Sequence, residues 1–475
     1  TFSHNIRFAD FTDRPAMEPF MSPFALGATV PTVGLGNDVQ SVAGRVLSVA
    51  TEPVDMDPQL LGFMMEFVDL LVPSGRAGSA FPTDEEEVWA RQPRPSQQRI
   101  ITAAVEQGRF SSQEVRCMMK KESYAKVTDP RNISTIPGEN KVEYSKYMYA
   151  MDVLFQTQDW YAFGRTPREI AERVSQICVG AKSHVAGTDL SRCDGRIGNL
   201  FRALEKMLMR RWFHPSVHED MEKTMETQYR QKARTATGVR FKTGDSRLSG
   251  SPETAHFNTM CNAFIAYASL RIQGLAGPAA YKAPGIYGGD DGLSADIEDQ
   301  VYANVAKRLG QVLECETKQR GDPDVNFLAR VYSPEVWTGS PDNMADIKRQ
   351  VLKLHLTVRG ANDMTPHRKL VEKCRGLRLT DRNTPILGEI AELVGDIFPE
   401  ERTSWRKDVS SWFSRYEEPD QFPNENHEDW MGGALERNFP EFDVDRLRAW
   451  IVEVRCKGAD VLSPPLCYQS DKPRP

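Results

Sequence analysis

Two adjacent carboxylates stand among glycines in residues 285–294, which read GIYGGDDGLS. Glycine allows the positive φ of a tight turn, so this segment predicts a β-hairpin with Asp290 and Asp291 at its tip. Neighbouring carboxylates repel each other unless cations lie between them. Oxygen ligands presented in this way suit Mg²⁺ or Mn²⁺. Taken alone, the segment is also compatible with an ordinary polar turn, because Asp-Gly turns are common.

Two upstream segments carry polar residues at fixed spacing. Asp189 and Asp194 lie five positions apart, after a short run at 184–186 that could end a strand. Residues 249–258 follow the pattern Ser-Gly-x₃-Thr-x₃-Asn, and its defining members are Ser249, Gly250, Thr254 and Asn258.

The second pattern predicts the start of a helix. Ser251 is expected to be the N-cap and Pro252 the first helical residue. Thr254 and Asn258 would then lie one turn apart on the same helical face, and the helix is expected to continue to about residue 268. A capped core helix with no chemistry of its own is the alternative interpretation.

In chain order, D-x₄-D, SG-x₃-T-x₃-N and GDD resemble motifs A, B and C of RNA-dependent RNA polymerases. One such motif would be weak evidence, but all three in this order carry the resemblance. The sequence is therefore similar to the polymerases of positive-strand RNA viruses. Residues 325–330, VNFLAR, resemble motif E and favour the nodavirus-like group, with the tombusvirus-like polymerases second.

Residues 117–133 resemble motif F, an element of the fingers in these enzymes. A nucleoside triphosphate carries three to four negative charges, which Lys and Arg side chains would bind and orient. Glu122 is expected to hold one of these cations in place. A charged surface hairpin is the alternative. The cations of this segment are Lys120, Lys121, Lys126 and Arg131.

A lysine after the hairpin has a weaker resemblance. Lys318 follows a strand-like segment at 312–315 and is similar in position to the lysine of motif D, which lies near the leaving pyrophosphate. Lys307 is the competing candidate for this role. A solvated lysine with no role in the chemistry is the other interpretation.

The resemblance implies a set of site residues. Two Mg²⁺ or Mn²⁺ ions would be held by Asp189, Asp290 and Asp291, and Lys318 would complete the catalytic group. The residues implied in nucleotide binding are Lys120, Lys121, Lys126, Arg131, Asp194, Ser249, Gly250, Thr254 and Asn258.

Length and composition fit a large soluble globular chain. The 475 residues are 27% charged and 40% hydrophobic, enough for two or three domain-sized units. The net charge of −6 is unusual for a protein that binds nucleic acid. Residues 230–247 are locally basic, however, with six Lys or Arg residues and a single acid, Asp245. A solvated face is the alternative interpretation of that run.

The expected fold is a right-hand α/β (α+β) polymerase with an antiparallel palm sheet backed by helices. Fingers and an N-terminal wrap are expected at 1–175, with a fingers insertion at 216–239. The palm would comprise 176–215, with motif A, and 240–340, with motifs B to E. The thumb would comprise 341–475. Helices are predicted near 56–72, 84–91, 97–107, 142–182, 196–211 and 298–309.

The expected partners are the RNA template, the nascent RNA, nucleoside triphosphates and a viral replication complex. The sequence has no apolar run long enough to span a membrane. We therefore expect a location in the host cytoplasm, with membrane association through regions outside this chain. Eight scattered cysteines without a C-x-x-C pattern fit reduced thiols. The sequence is also compatible with assembly into a homo-oligomer.

Two other functions fit parts of this pattern. A reverse transcriptase or another right-hand polymerase would share the carboxylates, but D-x₄-D together with SG-x₃-T-x₃-N is tied to recognition of ribose. A catalytically inert RNA-binding scaffold would not need all three carboxylates at the predicted metal site. The sequence therefore favours template-directed RNA synthesis by a two-metal mechanism.

Overall fold

The structure is a computed structural model that describes residues 14–15, 17–107, 114–283, 285–358, 365–399 and 421–470. Residues 1–13 of the predicted fingers lie outside the described residues. So do 400–420 of the predicted thumb. Helices and strands are mixed throughout, as the sequence predicts.

Helices contain more of the described residues than strands do. The α-helices are α1 (Leu35–Val42), α2 (Pro58–Leu71), α3 (Glu85–Ala90), α4 (Pro95–Gln107), α5 (Gly138–Phe155), α6 (Pro167–Gly180), α7 (Cys193–Arg196), α8 (Asn199–Trp212), α9 (His218–Glu226), α10 (Thr254–Ile272), α11 (Gly277–Lys282), α12 (Asp299–Arg308), α13 (Ile347–Leu354), α14 (Pro366–Thr380), α15 (Leu387–Ile397), α16 (Trp430–Asn438) and α17 (Val444–Lys457).

The strands are short. They are β1 (Arg14–Pro15), β2 (Glu18–Pro19), β3 (Ala25–Leu26), β4 (Thr32–Val33), β5 (Val115–Met119), β6 (Asn132–Thr135), β7 (His184–Leu190), β8 (Lys232–Thr235), β9 (Arg240–Lys242), β10 (Gly285–Gly288), β11 (Asp291–Ala295), β12 (Leu313–Gln319), β13 (Asn326–Phe327), β14 (Arg330–Tyr332), β15 (Asn343–Ala345), β16 (Leu356–Thr357) and β17 (Tyr468–Gln469).

A four-stranded antiparallel sheet lies at the centre, in the order β10-β11-β7-β12. Successive side chains of a strand point to opposite faces, so both faces of β7 can be buried. Ala186 and Leu190 join the largest hydrophobic core, with residues of α2, α5, α8 and α10. Val185 joins a second core with residues of α6. Helices therefore cover both faces of this sheet.

A second sheet lies beside it, in the order β6-β5-β8-β9. Strands β5 and β8 pair in parallel, and the other pairs are antiparallel. Its inner face shares a core with Val39, Val42 and neighbouring residues of α1 and the π-helix Ala43–Leu47. This sheet contains both flanks of the basic segment that resembles motif F.

The C-terminal helices have a hydrophobic core of their own. It contains residues of α13 to α17, together with Met21, Phe24 and Ala25 from the N-terminal segment. Strand β2 pairs with β16, and β3 pairs in parallel with β17. The first described residues are therefore tied to the last third of the chain, although the sequence placed them with the fingers.

Most predicted helices are confirmed to within a few residues, but the start of α10 is not. We predicted Ser251 as N-cap, whereas the helix begins at Thr254 and Glu253 occupies the N-cap. The Ser251 hydroxyl instead donates a hydrogen bond to Gln228 at 2.9 Å. Ser251 and Pro252 thus belong to a turn that connects the Ser-Gly pair to the helix.

The eight cysteines are free thiols. Among the described residues, every helix is too short or too polar to cross a lipid bilayer.

Candidate active site

Three carboxylates meet at one end of the central sheet. Asp291 is the first residue of β11 and pairs in register with Asp189 of β7. Side chains of directly opposed residues share a face of the sheet, with Cβ atoms about 5 Å apart. Asp290 occupies the two-residue turn of the β10–β11 hairpin, beside Gly289, whose φ is +71°. The hairpin predicted from the glycines is confirmed.

Helix α10 holds this turn in place. Thr259 accepts a hydrogen bond from the Gly289 amide at 2.9 Å, and Asn262 donates one to the Asp290 carbonyl at 3.0 Å. Neither residue belongs to the motif pattern. Asn262 could have been found from the sequence, because it lies one helical turn after Asn258 and therefore on the same face of the helix.

Burial and neighbouring carboxylates raise the pKa of Asp189 and of Asp291. Burial, followed by the charges of Asp290 and Glu314, raises the pKa of Asp189 to about 6. Burial, followed by Asp290 and Asp189, raises the pKa of Asp291 to about 7, against the opposing effect of Arg349. Glu314, which the sequence did not single out, pairs with Asp189 from β12.

This donor set has the chemistry of a Mg²⁺ or Mn²⁺ site. Three aspartates lie at this end of the sheet, where a cation would relieve the repulsion that contributes to the raised pKa values of Asp189 and Asp291. Within the described ranges, no three His, Cys, Asp or Glu side chains already converge on one point.

A cavity of about 1230 Å³ opens in front of the carboxylates. Asp189 and Asp290 line one wall. The remaining predicted site residues that line it are Lys121, Arg131, Asp194, Ser249, Gly250, Thr254 and Asn258. The tertiary structure thus brings motifs that are far apart in sequence into one space.

Asp194 and Asn258 are in direct contact. The Asn258 Nδ2 donates a hydrogen bond of 2.7 Å to Asp194 Oδ1. Burial raises the pKa of Asp194, and the bond from Asn258 partly offsets that rise. The structure therefore brings two of the predicted nucleotide-binding residues together. Together they present a carboxylate and an amide to the cavity.

A buried ion network lies behind Asn258. Arg247 Nε donates to Asn258 Oδ1 at 3.0 Å, which fixes the orientation of the amide. The guanidinium also binds Glu253 at 2.6 Å and Glu205 at 2.5 Å. Arg202 binds the same two acids, so the network is electrically balanced. The sequence had shown Arg247 only as part of a basic run.

Ser249 and Gly250 form a close backbone contact with Ser134 of β6. Gly250 has φ of +120°, and a Cβ at this position would lie 2.3 Å from the Ser134 carbonyl oxygen. Ser134 of β6 donates its amide to the Ser249 carbonyl at 2.8 Å. The Thr254 hydroxyl donates to backbone carbonyls of the same turn, including that of Ser251 at 2.9 Å. Glycine is thus required where the turn meets the second sheet.

The basic segment is organised by Glu122. Its carboxylate lies 2.9 Å from Lys120 Nζ and 3.7 Å from Arg131 Nε, in agreement with the predicted holding role. Lys121 and Arg131 line the cavity. Lys120 and the exposed Lys126 are not among its lining residues. Two of the four predicted cations therefore reach this space.

Lys318 lies away from the carboxylates. Its position in β12 is opposite Val185, four residues along β7 from Asp189. At about 3.3 Å per residue, the separation is about 13 Å. The Lys318 Nζ binds Glu316 at 2.8 Å, and the competing Lys307 is exposed on α12. The structure does not bring either lysine into the cavity.

Helix α13 contributes cations that the sequence analysis missed. Lys348, Arg349 and Lys353 line the cavity, and Arg349 opposes the rise in the pKa of Asp291. The basic residues of the segment IKRQVLKL were weak evidence for a role in the site, because basic residues on a helix more often face solvent. Only packing of the C-terminal core against the central sheet places these charges here.

The family model described as viral RNA-dependent RNA polymerase matches residues 146–340, which include the carboxylates, the Asp194–Asn258 pair and the buried network. The chain is similar to the nodavirus-like viral RNA-dependent RNA polymerases.

Curated relatives agree with this family. The RNA-directed RNA polymerases of greasy grouper nervous necrosis virus and Pariacoto virus are each 30% identical to this chain over 78% of its length. That of Flock house virus is 28% identical over 75%. The chain spans about 38% of the first two relatives and about 36% of the third. Polymerases of this family generally use divalent metal ions.

Proposed function

We propose that this chain is the catalytic region of an RNA-dependent RNA polymerase. It would add ribonucleotides to an RNA 3′ end under the direction of an RNA template. The observation that supports this most directly is the direct pairing of Asp189 with Asp291, beside Asp290, at the wall of a cavity large enough for a nucleotide and RNA.

The three aspartates would hold two Mg²⁺ or Mn²⁺ ions. When bound, such ions activate the 3′-hydroxyl and neutralise charge on the leaving pyrophosphate. The protein's own contribution is to fix the carboxylates. The β7–β11 register sets Asp189 and Asp291 side by side, while α10 holds the turn that carries Asp290.

The cations of the cavity suit the triphosphate of a ribonucleotide, and the Asp194–Asn258 pair suits its ribose. Lys121 and Arg131 would bind and orient the triphosphate, since charge-assisted bonds from Lys and Arg are strong. Asp194 and Asn258 would contact the ribose 2′-hydroxyl, which both donates and accepts. Lys318 stays a prediction as catalytic group, and its use would require β12 or the substrate to move.

The proposed fold is a right hand, and its domain boundaries stay predictions from the sequence. The palm would be the β10-β11-β7-β12 sheet with its covering helices. The fingers would include the second sheet, and the thumb the C-terminal core. The N-terminal segment would connect fingers and thumb, since it packs against the C-terminal core and forms an isolated bridge between Thr29 and Tyr124.

Primer extension tests this proposal. The protein is incubated with poly(A), an oligo(U) primer, UTP and Mn²⁺, and extended products are resolved by length. We expect primer- and template-dependent incorporation of UTP, which the Asp290→Asn variant lacks. Preferential use of dTTP would indicate a reverse transcriptase, and RNA binding without extension would indicate an inert scaffold. Either result would overturn the proposal.

In the infected cell, this activity would operate with RNA and nucleoside triphosphates in a viral replication complex of the host cytoplasm. Association with membranes would come from regions outside this chain. Fractionation of a tagged full-length replicase, with and without those regions, tests this location.

A further inference from the structure

The outer face of the second sheet carries a concentration of positive charge. Its five exposed cations are Arg116 of β5, Lys232 and Arg234 of β8, and Arg240 and Lys242 of β9. We call these five residues the basic face. Strand alternation separates them from Cys117, Ala233 and Phe241, which point into the core on the other side.

The charges of the basic face are in direct register. Lys232 pairs with Lys242 and Arg234 with Arg240 across β8 and β9. Arg116 of β5 pairs with Arg234. Like charges directly opposite each other destabilise a sheet. The sequence therefore places repulsion where neutral or acidic residues would have stabilised the strands.

Acidic partners do not offset this repulsion. Among the ion pairs of the described residues, none involves a member of the basic face. Other residues of the same basic run have different environments. Arg230 binds Asp245 at 2.7 Å, and Arg247 is enclosed in the buried network. The run is thus not a uniformly solvated segment, and its unpaired members are the ones gathered on one sheet face.

The basic face is distinct from the catalytic cavity. Phe241 and Ser134, which line the cavity, belong to the opposite face of the same sheet. A ligand on the basic face would therefore lie outside the cavity. The sheet itself, one layer thick, would separate that ligand from a nucleotide bound near Arg131.

We propose that the basic face binds the sugar–phosphate backbone of single-stranded RNA outside the catalytic cavity. Neighbouring strands are about 4.8 Å apart, so the row Arg116–Arg234–Arg240 spans about 10 Å. A row of that length can contact a few successive phosphates of one strand. Such a patch would tether the RNA without reading its sequence, and it extends the proposed function without depending on catalysis.

A backbone phosphate suits this surface better than a lipid headgroup. Interfacial membrane binding needs large apolar side chains that insert among the lipids. The apolar contribution here is small, with Met118 exposed and Ile133 half-buried beside it. The charges also lie on a β-sheet rather than on an amphipathic helix, whose apolar face would enter the bilayer.

The test removes three charges and compares salt dependence. The variant R234Q/R240Q/K242Q is matched with K223Q/R448Q/R455Q, which loses three cations that each pair with an acid elsewhere on the protein. Affinity for a fluorescent 20-nucleotide RNA without secondary structure is measured by anisotropy at several salt concentrations. The basic-face variant should bind at least tenfold more weakly at 100 mM salt. The slope of log Kd against log salt should decrease by about 2, since each single-strand phosphate contact contributes about 0.7.

Further measurements separate the alternatives. Extension at saturating RNA concentration, where tethering no longer limits the rate, should be unchanged in the basic-face variant, which also verifies its fold. Equal Kd values and salt slopes in both variants would overturn the proposal. So would loss of binding to phosphatidylserine vesicles with RNA binding intact, which would identify a lipid surface. A wild-type chain that binds RNA through the basic face but extends no primer would contradict the proposed activity alone.

Discussion

Asn258 donates a 2.7 Å hydrogen bond from its Nδ2 to Asp194 Oδ1, and the two side chains join α10 to the short helix α7 at the cavity wall. A site built from such a pair rejects a ligand that lacks a hydroxyl, because its buried polar groups would then lose partners. The pair therefore provides a physical basis for selecting ribose over deoxyribose.

Asn258→Ala and Asp194→Ala should each reduce kcat/KM for ATP far more than for dATP. Discrimination by the unmodified protein should be at least about a hundredfold. Single-nucleotide incorporation of ATP and dATP on one template measures both values. Asn304→Ala, at an exposed position of α12, is the control and should change neither. Proportional loss with both substrates would mean that the pair supports the fold or the metals instead.

Arg247→Lys should reduce the ATP-to-dATP ratio, because lysine keeps the charge but cannot bind Asn258, Glu205 and Glu253 together. Arg202→Lys is the matched control, since Arg202 binds the same two acids without bonding to Asn258. Both variants should lose thermal stability through the damaged network, and only Arg247→Lys should change the ratio. Incorporation is measured below both unfolding transitions. An equal ratio in the two variants would argue against an orienting role for Arg247.

Asp290→Asn should abolish synthesis while leaving RNA affinity nearly unchanged. A lost metal ligand should cost several kcal/mol of transition-state stabilisation, about a thousandfold or more in rate. Because the carboxylates repel one another, the variant should unfold at no lower temperature than the unmodified protein. Primer extension, anisotropy and thermal melting measure the three properties, with the exposed Glu298→Gln as control. Extension within tenfold of the unmodified rate would exclude Asp290 as a ligand.

Arg131→Ala and Lys121→Ala should raise KM for nucleoside triphosphate more than they weaken RNA binding. Both residues line the cavity, and a lost charge-assisted contact should cost about 1.5–3 kcal/mol. Lys126→Ala, in the same segment but outside the cavity lining, should have a smaller effect. Steady-state kinetics and anisotropy with a common RNA give the comparison. Equal losses in KM and RNA affinity would make these residues part of a general RNA channel.

Gly250→Ala should lower the free energy of unfolding by more than about 2 kcal/mol, because alanine has both an unfavourable φ and a clash with Ser134. Gly244→Ala separates these causes, since its φ is +58° and nothing lies near the added Cβ. That variant should lose only about 1 kcal/mol. Urea unfolding of the two variants measures the difference. Equal losses would show that the turn can move away from Ser134.

Local features were predictable from sequence where short-range physics decides them. The glycines around Asp290 imposed a tight hairpin, and the periodic apolar residues of α8 and α12 gave helices within a few residues of their observed bounds. The start of α10 was predicted wrongly, because the Ser251 side chain is taken up by Gln228, a partner 23 residues away. A capping preference is a local quantity, and a tertiary hydrogen bond overrode it.

The sequence by itself determined the residue types and order of the motifs, and with them the family and the kind of chemistry. The tertiary structure alone decided which of those residues meet. It placed Asp291 beside Asp189 and excluded Lys318 from the cavity through strand register. It also divided one basic run between the buried Arg247 and the exposed basic face. The physical reason is that register and burial depend on packing between distant segments, which the spacing along a single chain does not encode.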